Sequence, residues 1–358
     1  MRMTSMVMTL AAVALQAGCS AVKLIDDPEL QFIDRGSLSP ADIRLNISGL
    51  GPCTDNADRS LQLDSRQPVH VLVHGCFGSS GRFRSLAQVF AYHGQQTICF
   101  TYNDRDSLMR SSGELTAALD QLGQTMQNQQ VTVIGHSQGA LIARKALVAE
   151  RPDALRNGDA RLRLVTVSGP FAGIASAKPC GNPLTRALSL GLIAPLCRIA
   201  TGDKWADITY SSEFILQPGE LLKQVTGYLK VDTDESGSCR RFDNAGACKE
   251  SDAVFSLGEQ RNAAIDRDPV AKVANVKAGH VEIVGDERVA PVKLIAVLQQ
   301  NGVLNATEPH RRAGFDALLT KLYEQASERA VTALDQSSKR PDGTQMGGMQ
   351  PHERHDSP

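Results

Sequence analysis

Apolar positions along the chain fall into short β-branched runs separated by longer amphipathic stretches. Residues 69–75 read VHVLVHG, a continuous run closed by glycine, which is the pattern of a strand buried on both faces of its sheet. An amphipathic stretch follows at 82–93, then a strand-like QTICFTY at 96–102 and a helical pattern over 108–127. VTVI at 131–134, a helical segment at 138–149 and LRLVTV at 162–167 continue the series. The alternation resumes with YLKV at 228–231 and VANV at 273–276, and 290–300 reads as the last core helix. Strands that alternate with helices in this way predict a parallel sheet covered on both sides.

Two stretches break the rhythm. Residues 168–217 are rich in Gly, Pro, Ala and Leu and too long for a simple connection. They predict an insertion with short amphipathic helices around 184–199, lying over the strand ends as a cap. Beyond 300 an amphipathic helix is expected over 311–334, followed by a polar tail that cannot bury enough apolar surface to order itself. The expected organisation is therefore an export signal at 1–18, an N-terminal extension with early strands at 19–67, and an α/β domain at 68–300. A helical extension at 301–335 and a disordered tail at 336–358 complete it.

The signal rests on Arg2, an apolar run over 6–15 and small residues after it. Residues 15–20, LQAGCS, resemble a bacterial lipoprotein cleavage box, which would make Cys19 the lipidated first residue of the mature chain; Gln16 stands where the box has Leu. The resemblance implies a membrane partner through an N-terminal lipid anchor, at the outer membrane given Ser20, with a secreted form as the alternative. Export changes the reading of the cysteines, because an oxidising compartment permits disulfides. Cys180 with Cys197 and Cys239 with Cys248 are close enough to pair, while Cys53 has both Cys76 and Cys99 as options. Charge adds an exclusion: 38 basic against 39 acidic residues leave a net charge of −1, no field for nucleic acid. Neither C-x-x-C nor H-E-x-x-H occurs, so no metal or other cofactor is expected.

Chemistry concentrates where VTVI runs into Gly135-His136-Ser137-Gln138-Gly139 and then a helical segment. A G-x-S-x-G sequence between a strand and a helix presents its serine on a sharp, strained turn, and the glycines let the two elements approach. A serine hydroxyl needs a base within hydrogen-bond reach and an acid that orients the base. His280, on the turn after VANV and before the final helix, is the histidine placed to serve as that base. Asp232, Asp234 and Asp252 compete for the acid. Asp252 in SDAVF is favoured and Asp234, directly after YLKV, is second, with 235–250 read as an insertion. The loop His74-Gly75-Cys76 after the first strong strand is where an oxyanion donor is expected, giving the backbone N–H groups of Cys76 and Gln138.

Together HGCFGSS, GHSQG, SDAVF and AGH resemble the α/β-hydrolases, and among them bacterial lipases and esterases, including the inositol-deacylase type. The resemblance covers about residues 68–300. It implies an eight-stranded, mostly parallel sheet, a Ser137/His280/Asp252 mechanism without metal, and a lid at 168–217. It further implies a hydrolase of carboxylic esters acting through an acyl-enzyme. The apolar run LSLGLIAPL at 188–196 favours a lipid or other acyl ester as substrate. An acyltransferase using the same serine, and a non-catalytic envelope lipoprotein with the same fold, are the other readings.

Overall fold

The computed structural model describes residues 37–76, 78–156, 160–175, 202–286 and 289–324. Strands β1 (Ile43–Leu45), β2 (Leu50–Gly51) and β3 (Leu61–Leu63) precede β4 (Val69–Val73), helix α1 (Arg84–Tyr92), β5 (Gln96–Phe100) and α2 (Leu108–Thr125). Next come β6 (Gln130–His136), α3 (Gln138–Ala146), β7 (Arg161–Val167), α4 (Lys204–Ile208), α5 (Glu213–Leu216) and β8 (Val225–Asp234). The last part carries β9 (Cys239–Phe242), β10 (Cys248–Ser251), α6 (Leu257–Gln260), α7 (Ala263–Asp266), β11 (Ala271–Lys277), α8 (Val292–Gln300) and α9 (Arg312–Leu319). The expected strands and helices of the α/β region are thus present, with boundaries shifted by a few residues.

Seven strands form the main sheet in the order β11-β8-β7-β6-β4-β5-β2, all neighbours parallel except the short β2 against β5. This order, with β6 leading directly into the serine turn, is the α/β-hydrolase arrangement. Eight strands are expected from the resemblance; here β1 and β3 pair only with each other, in a separate two-stranded sheet.

Period-two alternation assigns each strand's side chains to one of two cores. Val69, Val71 and Val73 of β4, Val131 and Val133 of β6, and Leu162 and Leu164 of β7 share a cluster with Leu108, Leu115 and Leu122 of α2 and Leu141 and Ile142 of α3. Leu72, Ile134, Val165, Val167 and Val231 point the other way, among Leu86 and Phe90 of α1 and Leu294 and Leu298 of α8. Both faces of the sheet are therefore covered, and the C-terminal strand ends are left to carry the site. Cys53 and Cys99 form a disulfide that ties the segment after β2 to β5, and Cys239 and Cys248 close the β9–β10 hairpin. Cys76 keeps its thiol. The expected Cys180–Cys197 pair, the lipidation site Cys19, the helices around 184–199, the run 188–196 and the tail lie outside the described residues. No helix among the described residues is long and apolar enough to cross a membrane.

Candidate active site

Strand β6 ends at His136 and α3 starts at Gln138, so Ser137 alone makes the turn, at φ 57 and ψ −124. A residue with a side chain is strained in that region, and the packing around the turn explains why the backbone holds it. A Cβ on Gly135 would come within 2.2 Å of the Gly139 carbonyl oxygen, and one on Gly139 within 2.3 Å of the carbonyl oxygens of Val73 and His74. Glycine is the only residue that allows β6, α3 and β4 to meet this closely. The Ser137 N–H donates to Val167 O at 2.9 Å, which fixes the turn to β7.

The structure brings Ser137 and His280 together. Ser137 Oγ lies 3.0 Å from His280 Nε2, although the two are far apart in the chain. Both side chains are buried, and the neighbouring, partly buried His136 donates its Nε2–H to the backbone carbonyl of His280 at 2.9 Å. Burial, reinforced by the charge that His280 can carry, holds the His136 imidazole well below its ordinary pKa. It therefore serves as a neutral prop for the histidine loop. Phe255 stands edge-on to the His280 ring with centroids 4.8 Å apart.

The acid expected from the sequence is corrected here. His280 Nδ1 meets Glu235 Oε1 at 2.8 Å, and Asp252 does not face the imidazole nitrogens. Glu235 is the first residue after β8, and its other oxygen accepts the backbone N–H groups of Val254 and Phe255, each at 2.7 Å. Asp252 instead braces the turn behind the histidine. Its carboxylate accepts the N–H of Val281 at 3.0 Å and of Glu282 at 3.0 Å, and its carbonyl accepts the N–H of His280 at 2.9 Å. Burial pushes the Asp252 carboxyl up while these two N–H groups pull it down. A Cβ on Gly279 would lie 2.0 Å from Asp252 Oδ2, so the turn closes directly over that carboxylate.

The other two aspartates have different work. Asp234 is half exposed and pairs with Lys277 at 3.1 Å; its hydrogen bonds from Ser236 and Lys277 depress its pKa to about 2. Asp232 is buried on the opposite face of β8, 2.5 Å from the equally buried Lys230 ammonium, and desolvation raises its pKa. Alternation along β8 explains the division: 231, 233 and 235 face the histidine side, 230 and 232 the α3 side.

The His74 loop abuts the serine. A Cβ on Gly75 would approach Ser137 Cβ to 2.9 Å, so the backbone at Gly75 passes directly beside Ser137. His74 is buried, stacks on Tyr102 with centroids 4.4 Å apart, and its Nδ1–H donates to Gly75 O at 2.9 Å. Tyr102 Oη–H donates to the His74 carbonyl at 2.7 Å. Cys76 Sγ accepts from the buried Lys204 ammonium of α4 at 3.0 Å, and Gln138 Nε2 donates to Asp104 O at 3.3 Å. The α4 segment, at the C-terminal end of the expected cap, is thus seated on the loops that flank the serine.

The family model of palmitoyl protein thioesterase matches residues 68–216. That span holds the His74 loop and Ser137 and stops before Glu235 and His280. No curated protein matches. Among solved structures, Bacillus licheniformis lipase BlEst2 in mature form is 15% identical, with 73% of this chain and 98% of that one covered at a TM-score of 0.43. Esterase B from Lactobacillus rhamnosis is 12% identical, covering 81% and 90% at 0.43. Pyrococcus furiosus esterase PF2001 is 14% identical, covering 79% and 95% at 0.41.

Proposed function

We propose that this α/β-hydrolase cleaves carboxylic acyl esters, with oxygen or sulfur leaving groups, through an acyl-enzyme on Ser137. The observation that carries the proposal is the buried line from Ser137 Oγ to His280 Nε2 at 3.0 Å and from His280 Nδ1 to Glu235 Oε1 at 2.8 Å. A carboxylate accepting at Nδ1 fixes the tautomer whose Nε2 lone pair faces the serine. Ser137 attacks the acyl carbonyl as its proton passes to Nε2. The oxyanion is met by the backbone N–H groups of Cys76 and Gln138, each supplying on the order of 3 kcal/mol in such sites. His280 then returns the proton to the departing alcohol or thiol, and water reverses the sequence to free the acid. Asp252 holds the histidine loop from behind and takes no proton.

The match to the palmitoyl protein thioesterase model over 68–216 supports a lipid-like acyl group, as does the apolar run at 188–196. The disulfides Cys53–Cys99 and Cys239–Cys248 support an exported location, where Cys19 would carry the lipid anchor. Purified protein is assayed on p-nitrophenyl esters from butyrate to palmitate and on palmitoyl-CoA with thiol detection, beside Ser137→Ala and His280→Ala. Turnover lost in both variants, with fluorophosphonate labelling of the wild type only at Ser137, is the expected result. An unlabelled, inactive wild type would favour the binding-module reading, and acyl transfer to an added alcohol in preference to water would favour the transferase.

A further inference from the structure

We infer that Thr233 and Ser168 are positioning residues that hold the Glu235 carboxylate against His280, an inference that rests on the reading of Glu235 as the acid. An ionised carboxylate only accepts hydrogen bonds, and it has room for about four. Two are filled at Oε2 by Val254 and Phe255. At Oε1, the atom that touches the imidazole, the second donor is the Thr233 hydroxyl at 3.0 Å. With its single proton used there, Thr233 Oγ1 is left as an acceptor, and Ser168 Oγ lies 2.6 Å away. The proton order is therefore Ser168 to Thr233 to Glu235, with His280 on the far side of the same oxygen. Gln260 Oε1, at 3.3 Å, is the longer alternative acceptor for Thr233 Oγ1.

Neither hydroxyl is free to swing. The Gln260 side chain pairs with the Thr233 backbone in both directions, N–H to Oε1 at 2.8 Å and Nε2–H to the carbonyl at 2.8 Å. Thr233, Ser168 and Gln260 are all inaccessible to solvent. Ser168 stands at φ 50, a conformation that favours glycine, and its N–H donates to Val231 O at 2.9 Å. A serine there carries backbone strain, and its hydroxyl does something that a glycine cannot. The chain of hydroxyls runs from Ser168, directly after β7, to Glu235, directly after β8.

The test compares kcat and KM on p-nitrophenyl butyrate for Thr233→Val, Thr233→Ser, Ser168→Gly, Glu235→Gln and the double variant Thr233→Val/Glu235→Gln. Losing one charge-assisted hydrogen bond predicts a fall in kcat of about tenfold for Thr233→Val with KM unchanged, and most of the rate returns in Thr233→Ser. Ser168→Gly removes the outer hydroxyl while relieving the strained φ. It should lower kcat by roughly threefold in a protein that unfolds no earlier, and it carries the test if Thr233→Val does not fold. In the Glu235→Gln background, Thr233→Val should cost nothing more, because it acts through the group already removed. Thr233→Val at the wild-type rate, Thr233→Ser as slow as Thr233→Val, or fully additive losses in the double variant would each overturn the inference. Glu235→Gln at the wild-type rate would instead remove the acid assignment beneath it.

Discussion

Replacing Glu235 by Gln separates the two carboxylates near His280 with an isosteric change. In the native site, Oε1 accepts from His280 and Thr233, and Oε2 accepts two backbone N–H groups. A glutamine has one acceptor oxygen and one donor NH2, so it cannot serve both ends. If its oxygen faces the imidazole, the NH2 opposes the N–H groups of Val254 and Phe255, and two buried donors lose their partner. If it flips, the NH2 faces Nδ1, the imidazole proton moves to Nε2, and the base no longer has a lone pair for Ser137. The amide is driven towards the second arrangement, because leaving each buried donor unmet costs about 1–3 kcal/mol. The wrong tautomer in a comparable serine enzyme lowers kcat by about 10⁴, and we expect a loss of roughly 10³- to 10⁴-fold here.

Asp252→Asn is the matched control. Among the described residues its side-chain hydrogen bonds go to the backbone N–H groups of Val281 and Glu282, so the cost falls on the placement and stability of the His280 loop. An amide oxygen in the place of Oδ2 keeps the N–H groups of Val281 at 3.2 Å and Glu282 at 3.0 Å, while the NH2 in the place of Oδ1 opposes the Val281 N–H. Losing the Oδ1 bond and the charge predicts a kcat reduction of about tenfold and a destabilisation of roughly 1.5–3 kcal/mol. Initial rates on p-nitrophenyl butyrate, with the second-order rate of fluorophosphonate labelling, read both variants. The reasoning is refuted if Glu235→Gln stays within a few-fold of wild type, or if Asp252→Asn falls as far as Glu235→Gln.

Burial holds His70 at about 4 against 6.5 in the unfolded chain, where the proton binds first as the pH falls. Its contribution is therefore complete above pH 6.5 and drains towards pH 4, by up to about 3 kcal/mol; urea midpoints should fall across that window, less steeply in His70→Asn. The Cys53–Cys99 bond closes a loop with a sequence separation of 46, and chain entropy gives it about 4 kcal/mol, so Cys53→Ala/Cys99→Ala should melt many degrees lower while a folded fraction keeps its labelling by fluorophosphonate. Gly139→Ala drives a methyl group into the carbonyl oxygens of Val73 and His74 at 2.3 Å; we expect labelling to vanish with a large drop in melting temperature, and a stable, fully labelled variant would contradict the packing account of the turn.

The meeting of Ser137 and His280 is legible because both signals are local. A β-branched run, a tight glycine motif and an amphipathic segment in direct succession leave few ways to build the turn that carries Ser137, and His280 follows a recognisable strand. The carboxylate that meets His280 Nδ1 is not, for two physical reasons. The order Ser, Asp, His points to aspartates, although a glutamate side chain reaches the imidazole just as well from a strand end. In addition, YLKV marks only the middle of a strand that runs from Val225 to Asp234, so the pattern places Glu235 in an insertion, whereas it is the first residue beyond the strand. The insertion itself is real in form: β9 and β10 make a disulfide-closed hairpin whose two legs begin just after Glu235 and end just before Asp252. That hairpin is why both carboxylates arrive at the histidine. With the strand end placed correctly, alternation from Val231 through Thr233 puts position 235, and not 234, on the histidine's face. The carboxylate that meets His280 Nδ1 thus depends on a strand boundary, the feature that apolar patterning fixes least sharply here because residues 232–236 are all polar and Gly237, which marks the turn into the hairpin, comes only two residues after Glu235.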